Sequence, residues 1–302
     1  MVSDSGNYLT LDKAAYSFDG VKYSEKLDCL KVFDIMLNER YKGDLYLKYT
    51  FDVESVPKEI CFLAEDMHNE WCEINGNRVT FDGVSDFDKG IYKADISSFV
   101  VKGENQAVIK INYYQSEDVY FALFNEKATE GIKNKMVYST NIESCYLQGD
   151  FGVFAKNGLK KGKNEGVWYG SDFYISEKKK SVTDLAADGY PFFAGNITLK
   201  KKFTHGGGDC VLSLKGKFGY AEVFVNGKRA VKSYFDNKVD VSELVVKGEN
   251  ELEITLYTGN RNLLGPHRFV EEECWWVGPG TFELFKGQES DGEYLFGERT
   301  LY

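Results

Sequence analysis

Four tryptophans and their polar neighbours hold most of the binding chemistry this chain can offer. Trp275 and Trp276 follow the connection "GNRNLLGPHRFVEEEC" (259–274), which also contains Arg261, Asn262, His267 and Arg268. Trp71 precedes an Asn-Gly pair and stands beside "EDMHNE" (65–70), and Trp168-Tyr169 lie in a Lys/Gly-rich stretch. A flat indole beside Arg, Asn or Glu suits a ligand with an apolar C–H face rimmed by hydroxyls. The ring takes the face and the polar groups take the rim. That is sugar chemistry, and it makes Arg261, Asn262, His267, Arg268, Trp275, Trp276 and Trp71 the candidate ligand contacts. Two plainer readings stand beside it. Trp71 and one of the adjacent tryptophans could plug the end of a β-layer, Trp168 could pack between domains, and Arg261 and His267 could satisfy buried carbonyls. Alternatively, the 261–276 connection could dock on another domain.

Catalytic constellations are weaker. Glycoside hydrolysis needs two carboxylates at a set separation, and among 47 Asp and Glu some pair always exists. The densest cluster, Glu271–Glu273 in "VEEEC", reads as a solvated loop or a cation site. "HGGG" (His205–Gly208) has the letters of an esterase oxyanion loop, but no Gly-x-Ser-x-Gly elbow accompanies it, so it reads as a hairpin loop. His68, His205 and His267 are far apart and lack zinc-site spacing.

The elements that position these residues are strands. Aromatics make up 15% of the 302 residues, a composition that favours half-buried pleated surfaces. A net charge of −10 argues against nucleic acid, and Lys160, Lys161 and Lys163 read as a solvated loop. No run of 18 apolar residues exists to span a membrane. "MVSDSGNYLTLDK" has no export signal, which favours a cytoplasmic home, or a secreted one if the chain is cut from a longer protein. Six scattered cysteines read as reduced and buried, although Cys61 and Cys72 could sit on neighbouring strands.

The chain spells one pattern twice. "VVKGEN" occurs at 100–105 and at 245–250, a shift of 145 (245 − 100). "KGDLYLKYTF" (42–51) overlays "AGNITLKKKF" (194–203) with a shift of 152 (195 − 43). "EINGNRV" (73–79) overlays "FVNGKRA" (224–230) with a shift of 151 (226 − 75). The first copy carries six extra residues within "TFDGVSDFDKGIY" (80–92), as a surface loop tolerates. Leu45, Leu47, Tyr49 and Phe51 alternate with polar neighbours at the period of a sheet. Asn75-Gly76 and Asn226-Gly227 mark type I′ hairpins, and Gly103 and Gly248 predict left-handed turns with the following Asn as cap.

Six to eight strands per copy imply an all-β chain of two tandem antiparallel jelly-roll β-sandwiches, at 1–180 and 181–302, joined through the polar stretch 156–190. One short helix is expected in "LDCLKVFDIMLNER" (27–40), before the first strand, with Leu30, Phe33, Met36 and Leu37 on its packing face.

The second copy, from "GYPFFAGNITLKKKF" through "VFVNGKRA" and "VSELVVKGENELEITL" to "GNRNLLGPHRF", resembles accessory galactose-binding-like sandwiches of large bacterial glycoside hydrolases. These are the sugar-binding domains around family 2 and α-L-rhamnosidase-like enzymes. The resemblance covers roughly 8–285. It implies a non-catalytic carbohydrate-binding region whose partners are a glycan and a glycoside hydrolase catalytic domain in the same or another chain. The family's catalytic carboxylates sit on a barrel, and no strand–helix alternation of that kind occurs here. The rival readings are a purely structural pair supporting such a barrel and, more distantly, a sandwich-based carbohydrate-active enzyme. No cofactor is required, and a structural Ca²⁺ held by loop oxygens fits such sandwiches without assignable ligands.

Overall fold

In the computed structural model, residues 2–3, 6–67, 69–161, 168–170, 172–179, 181–214, 216, 218–233, 238–265 and 299–301 are described. The chain opens with β1 (Val2–Ser3), β2 (Asn7–Leu11), β3 (Lys13–Ser17), β4 (Leu27–Asp28) and helix α1 (Cys29–Asn38). Next come β5 (Gly43–Val53), β6 (Ile60–Glu65), β7 (Asn69–Ile74), β8 (Asn77–Val79), β9 (Gly83–Val84), β10 (Ile91–Asp95) and β11 (Gly103–Tyr113). Helices α2 (Glu117–Phe124) and α3 (Glu130–Lys133) lead to β12 (Cys145–Gly149), β13 (Gly152–Ala155), β14 (Lys160–Lys161), β15 (Trp168–Gly170) and β16 (Phe173–Ser176). The second half holds β17 (Gly195–His205), β18 (Val211–Ser213), β19 (Tyr220–Val225), β20 (Lys228–Ser233), β21 (Lys238–Asp240) and β22 (Gly248–Thr258). A single turn, α4 (Arg261–Leu264), and β23 (Arg299–Leu301) follow.

Alternation sorts these strands into layers. One sheet runs β2-β12-β6-β10-β9, and its partner runs β13-β16-β5-β11-β7-β8 with β3 beside β5. Leu9, Phe62 and Leu147 from the first sheet and Leu47, Tyr49 and Ile109 from the second share one buried core. In the second half, β1-β17-β22-β19-β20 form a sheet beside the β18-β21 pair. The architecture is all-β and predominantly antiparallel, as the period of two requires.

The two halves share pairing as well as letters. Gly43 lies opposite Tyr113 and Val53 opposite Gly103, while Gly195 lies opposite Thr258 and His205 opposite Gly248. The partners are the same after shifts of 152 (195 − 43) and 145 (258 − 113). Strand β1 sits at β17 where β3 sits at β5: Val2 pairs with Thr198, and Ser17 pairs with Tyr46.

One amide clamp recurs in both halves. Asn105 is buried, and its Nδ2 donates to the carbonyls of Val101 (2.7 Å) and Gly103 (3.0 Å). Its Oδ1 accepts from Val101 N (2.8 Å) and from Asn75 Nδ2 (2.8 Å), tying the corner to the Asn-Gly hairpin. Asn250 does the same, donating to Val246 O and Gly248 O and accepting from Val246 N and Asn226 Nδ2. The positive φ of Asn75 (50°), Gly76 (79°), Asn226 (52°) and Gly227 (76°) is that of the expected type I′ turns.

Several expectations change. Four short strands precede α1, and α2 and α3 add helical structure that the sequence reading left out. Neither has a full apolar stripe: Phe121 and Phe124 of α2 are exposed, so no hydrophobic period announced them. Helix α1 is capped by Asp28, which accepts from Leu30 N, and it buries Cys29, Val32, Phe33, Met36 and Leu37. Leu30 is only half-buried, so the packing stripe is rotated from the expected one. His205–Gly208 is not a hairpin loop, because β17 and β18, which it joins, belong to different sheets. Among the described residues, no helix is long and apolar enough to cross a membrane.

The halves are packed together. Phe192 is fully buried in the core of the first sandwich, with its ring edge-to-face on Phe173 at 4.8 Å. Its neighbour Phe193 packs with Tyr190 and Ile197 in a separate cluster. Leu263 of α4 enters the first core, and Thr10 Oγ1 donates to its carbonyl at 2.7 Å. Asn105→Ala removes a buried amide with four hydrogen bonds and is expected to cost about 2–4 kcal/mol. Urea unfolding followed by circular dichroism would show it; an unchanged midpoint would refute the clamp.

Candidate functional site

Strand alternation turns one row of each strand outward. On the first sandwich, Tyr46 of β5 pairs with Lys110 of β11, and Lys110 with Trp71 of β7. The next row is Lys48, Val108 and Glu73, with Arg78 of β8 opposite Glu73. All of these face away from the buried Leu45, Leu47, Ile109 and Cys72.

Three aromatic–cation contacts cross this face. The Arg78 guanidinium lies 3.7 Å from the Trp71 ring centroid, Lys48 Nζ lies 3.9 Å from that of Tyr23, and Lys110 Nζ lies 5.8 Å from that of Tyr46. Trp71 and Tyr46 meet edge-to-face at 5.9 Å. Carboxylates pin the cations: Arg78 Nε reaches Glu73 at 2.8 Å, and Lys110 Nζ reaches both Asp44 and Glu70 at 2.7 Å. Those two hydrogen bonds hold the Lys110 ammonium above its ordinary pKa. Gly20, at φ +72°, lets its loop lie on the Tyr46 ring; a Cβ there would sit 3.0 Å from a ring carbon. Half-exposed rings flanked by fixed hydrogen-bonding charges can bind a flat polar ligand.

The equivalent face of the second half is built differently: Tyr220 and Tyr257 stack at 3.9 Å, and the Tyr257 hydroxyl donates to Glu222 at 3.2 Å. Thr198, Thr255 and Glu222 occupy the places of Tyr46, Lys110 and Trp71. Arg229, at the place of Arg78, binds Glu222 at 2.8 Å. The sheet pairs in the same register without rings at the Tyr46 and Trp71 positions, so those two rings are not a requirement of the scaffold.

The sequence candidates fall into three groups. Trp71 lies in this cluster. Arg261 and Asn262 lie on α4, whose Leu263 is anchored in the first core, remote in chain position and sheet from Trp71. His267, Arg268, Trp275 and Trp276 lie outside the described residues, as do His68 and Glu271–Glu273. Sequence reasoning passed over Tyr46, Arg78 and Lys110. Alternation had already put Tyr46 and Lys48 on the outward face, and overlaying the two copies would have singled out Trp71 against Glu222.

Catalytic groups do not converge here. Each carboxylate of the cluster, Asp44, Glu70 and Glu73, is engaged by a cation. Burial, and then the charge of Asp88, pushes the Glu65 carboxyl up, but Glu65 ends β6 in the other sheet. His205 Nε2 lies 3.0 Å from Gly208 O, so the glycine loop closes on its own histidine. Among the described residues, no group of three or more His, Cys, Asp or Glu side chains is placed to hold a metal ion. Cys61 and Cys72 lie in different sheets, and the five described cysteines are free.

No family model matches the chain, and no curated protein matches it in sequence. Among solved structures it is similar to Ruminococcus gnavus β-glucuronidase at 13% identity, covering 88% of this chain and 44% of that one, with a TM-score of 0.35. It is also similar to Dictyoglomus thermophilum β-D-glucuronidase at 17% identity, covering 86% of this chain and 43% of that one, with a TM-score of 0.31. The chain spans less than half the length of either enzyme. This likeness assigns no residue a role.

Two outcomes follow. Leu263→Ala empties a fully buried site and is expected to cost about 2–4 kcal/mol in thermal or urea unfolding. A near-neutral change would show that α4 is not an anchor. Alkylation requires the thiolate, and burial pushes Cys72 up to about 12 and raises Cys29 and Cys145 well above the ordinary thiol range. At pH 8, among the described cysteines, iodoacetamide should react first at half-buried Cys61 and Cys210, as peptide mapping would record.

Proposed function

We propose that this chain is a non-catalytic, carbohydrate-associated unit of two tandem β-sandwiches, divided near residue 180, and that sugar contact is made on the Trp71 face. The observation that carries this reading is the difference between matched faces. Two sheets with one register differ at Tyr46/Thr198, Lys110/Thr255 and Trp71/Glu222: the first sets a half-exposed indole and Tyr46 among three cations, where the second stacks Tyr220 on Tyr257. Surface positions that the scaffold leaves free are where binding residues accumulate. In this reading the unit belongs to a glycoside hydrolase, its catalytic domain lying in the same or a partner chain, and a structural Ca²⁺ is compatible with it.

A second reading is an assembly module that buttresses a catalytic domain. It is favoured by the α2–α3 excursion, where Ile132 and Val137 line a concavity of about 610 Å³ and Phe121 and Phe124 of α2 are also exposed.

Affinity electrophoresis of the chain against a panel of soluble polysaccharides separates the two. The carbohydrate reading expects retardation by at least one glycan, reduced about tenfold or more in Trp71→Ala, since loss of one stacked aromatic is worth about 1–3 kcal/mol. Unchanged retardation in Trp71→Ala would move the site elsewhere. Free migration of the wild-type chain in every gel would favour the assembly module.

A further inference from the structure

Arg78 differs from its counterpart in a way that bears on which sugar fits. In the second half, Arg229 spends its terminal Nη2 on Glu222. In the first half, the Glu222 position is Trp71, so the guanidinium lies over the indole at 3.7 Å and meets Glu73 through Nε instead. The two terminal nitrogens of Arg78 thus have no carboxylate partner among the described residues, and the side chain is 54% exposed. A guanidinium whose inner plane is held by a ring, and whose Nε is held by an acid, has its conformational freedom already spent. Its outer fork is pre-set for a bidentate carboxylate.

We infer that the Trp71 face takes acidic glycans, with a uronic acid carboxylate on the Arg78 fork. The inference rests on the reading of this face as a carbohydrate site. Charge pairing supports it. Asp44 and Glu70 are held by Lys110 and Glu73 by Arg78, so each of these acids is engaged by a cation, and Lys48 stands beside Tyr23. An incoming carboxylate meets one available donor fork and no unpaired acid of the cluster. A neutral sugar offers that fork only hydroxyl acceptors, which make weaker hydrogen bonds than an ionised one.

The test compares polygalacturonate with the same polymer methyl-esterified, using the full chain in affinity electrophoresis and titration calorimetry. Polygalacturonate should bind, weaken as NaCl is raised, and lose about tenfold or more in Arg78→Gln, the worth of a charge-assisted hydrogen bond. Arg229→Gln, which alters the matched position of the other half, should bind as wild type. Equal binding of the free and esterified polymers overturns the acid preference while leaving the carbohydrate reading intact. So does an Arg229→Gln loss as large as that of Arg78→Gln, which would mean diffuse charge attraction. Absence of binding to any glycan overturns both.

Discussion

A buried amide pair holds each sheet in register. Asn105 and Asn250 are shut off from water, and an unpaired amide there would cost about 1–3 kcal/mol per orphaned group. Each is satisfied in full only if the Val-Val-Lys-Gly-Glu-Asn corner and the Asn-Gly hairpin arrive together, because Asn75 or Asn226 donates to the same oxygen that the corner's own N–H uses. A slip of one residue would break this network and also turn Leu47 and Ile109 outward. The same constraint repeats at Asp95–Ser97 and Asp240–Ser242, whose serines bridge to Ile60 and Cys210. Two polar staples per half thus set a register that apolar alternation alone permits in more than one way.

That register makes the outer face informative. With the backbone fixed, side chains at matched positions differ without consequence for pairing. The charges on the Trp71 face contribute little to stability. Exposed ion pairs are worth about 0–1 kcal/mol and an exposed cation–π contact about 0.5–1. Such a row is cheap to lose and is not explained by folding. Unit-to-unit packing is different in kind: Leu263, Phe192 and Thr10 tie the halves with buried area and a short hydrogen bond, so the Arg261–Leu264 turn has a structural role even where its polar residues looked like ligand contacts.

Much was legible in the sequence. The period-two alternation of Leu45 to Phe51, the two Asn-Gly turns and the repeated corner were enough for an all-β sandwich architecture with the observed hairpins. α1 was visible from its spacing, although its stripe rotates to Cys29 and Val32. α2 and α3 were invisible because they bury too few residues for a period to show. Among the candidate site residues, Trp71 was legible as an aromatic beside a hairpin, whereas two of its neighbours, Tyr46 and Lys110, come from strands about 25 and 40 positions away in the chain.

What the sequence determined by itself is local: which residues alternate, where glycine and asparagine accept positive φ, and that one pattern occurs twice. These depend on sterics within a few residues. Only the tertiary structure decided that Arg78 lies on Trp71, that Lys110 is gripped by Asp44 and Glu70, and that Leu263 is core rather than loop. The reason is that sheet pairing converts distant positions into neighbours about 5 Å apart, and the choice of partner is set by register and burial, which no single stretch of chain encodes.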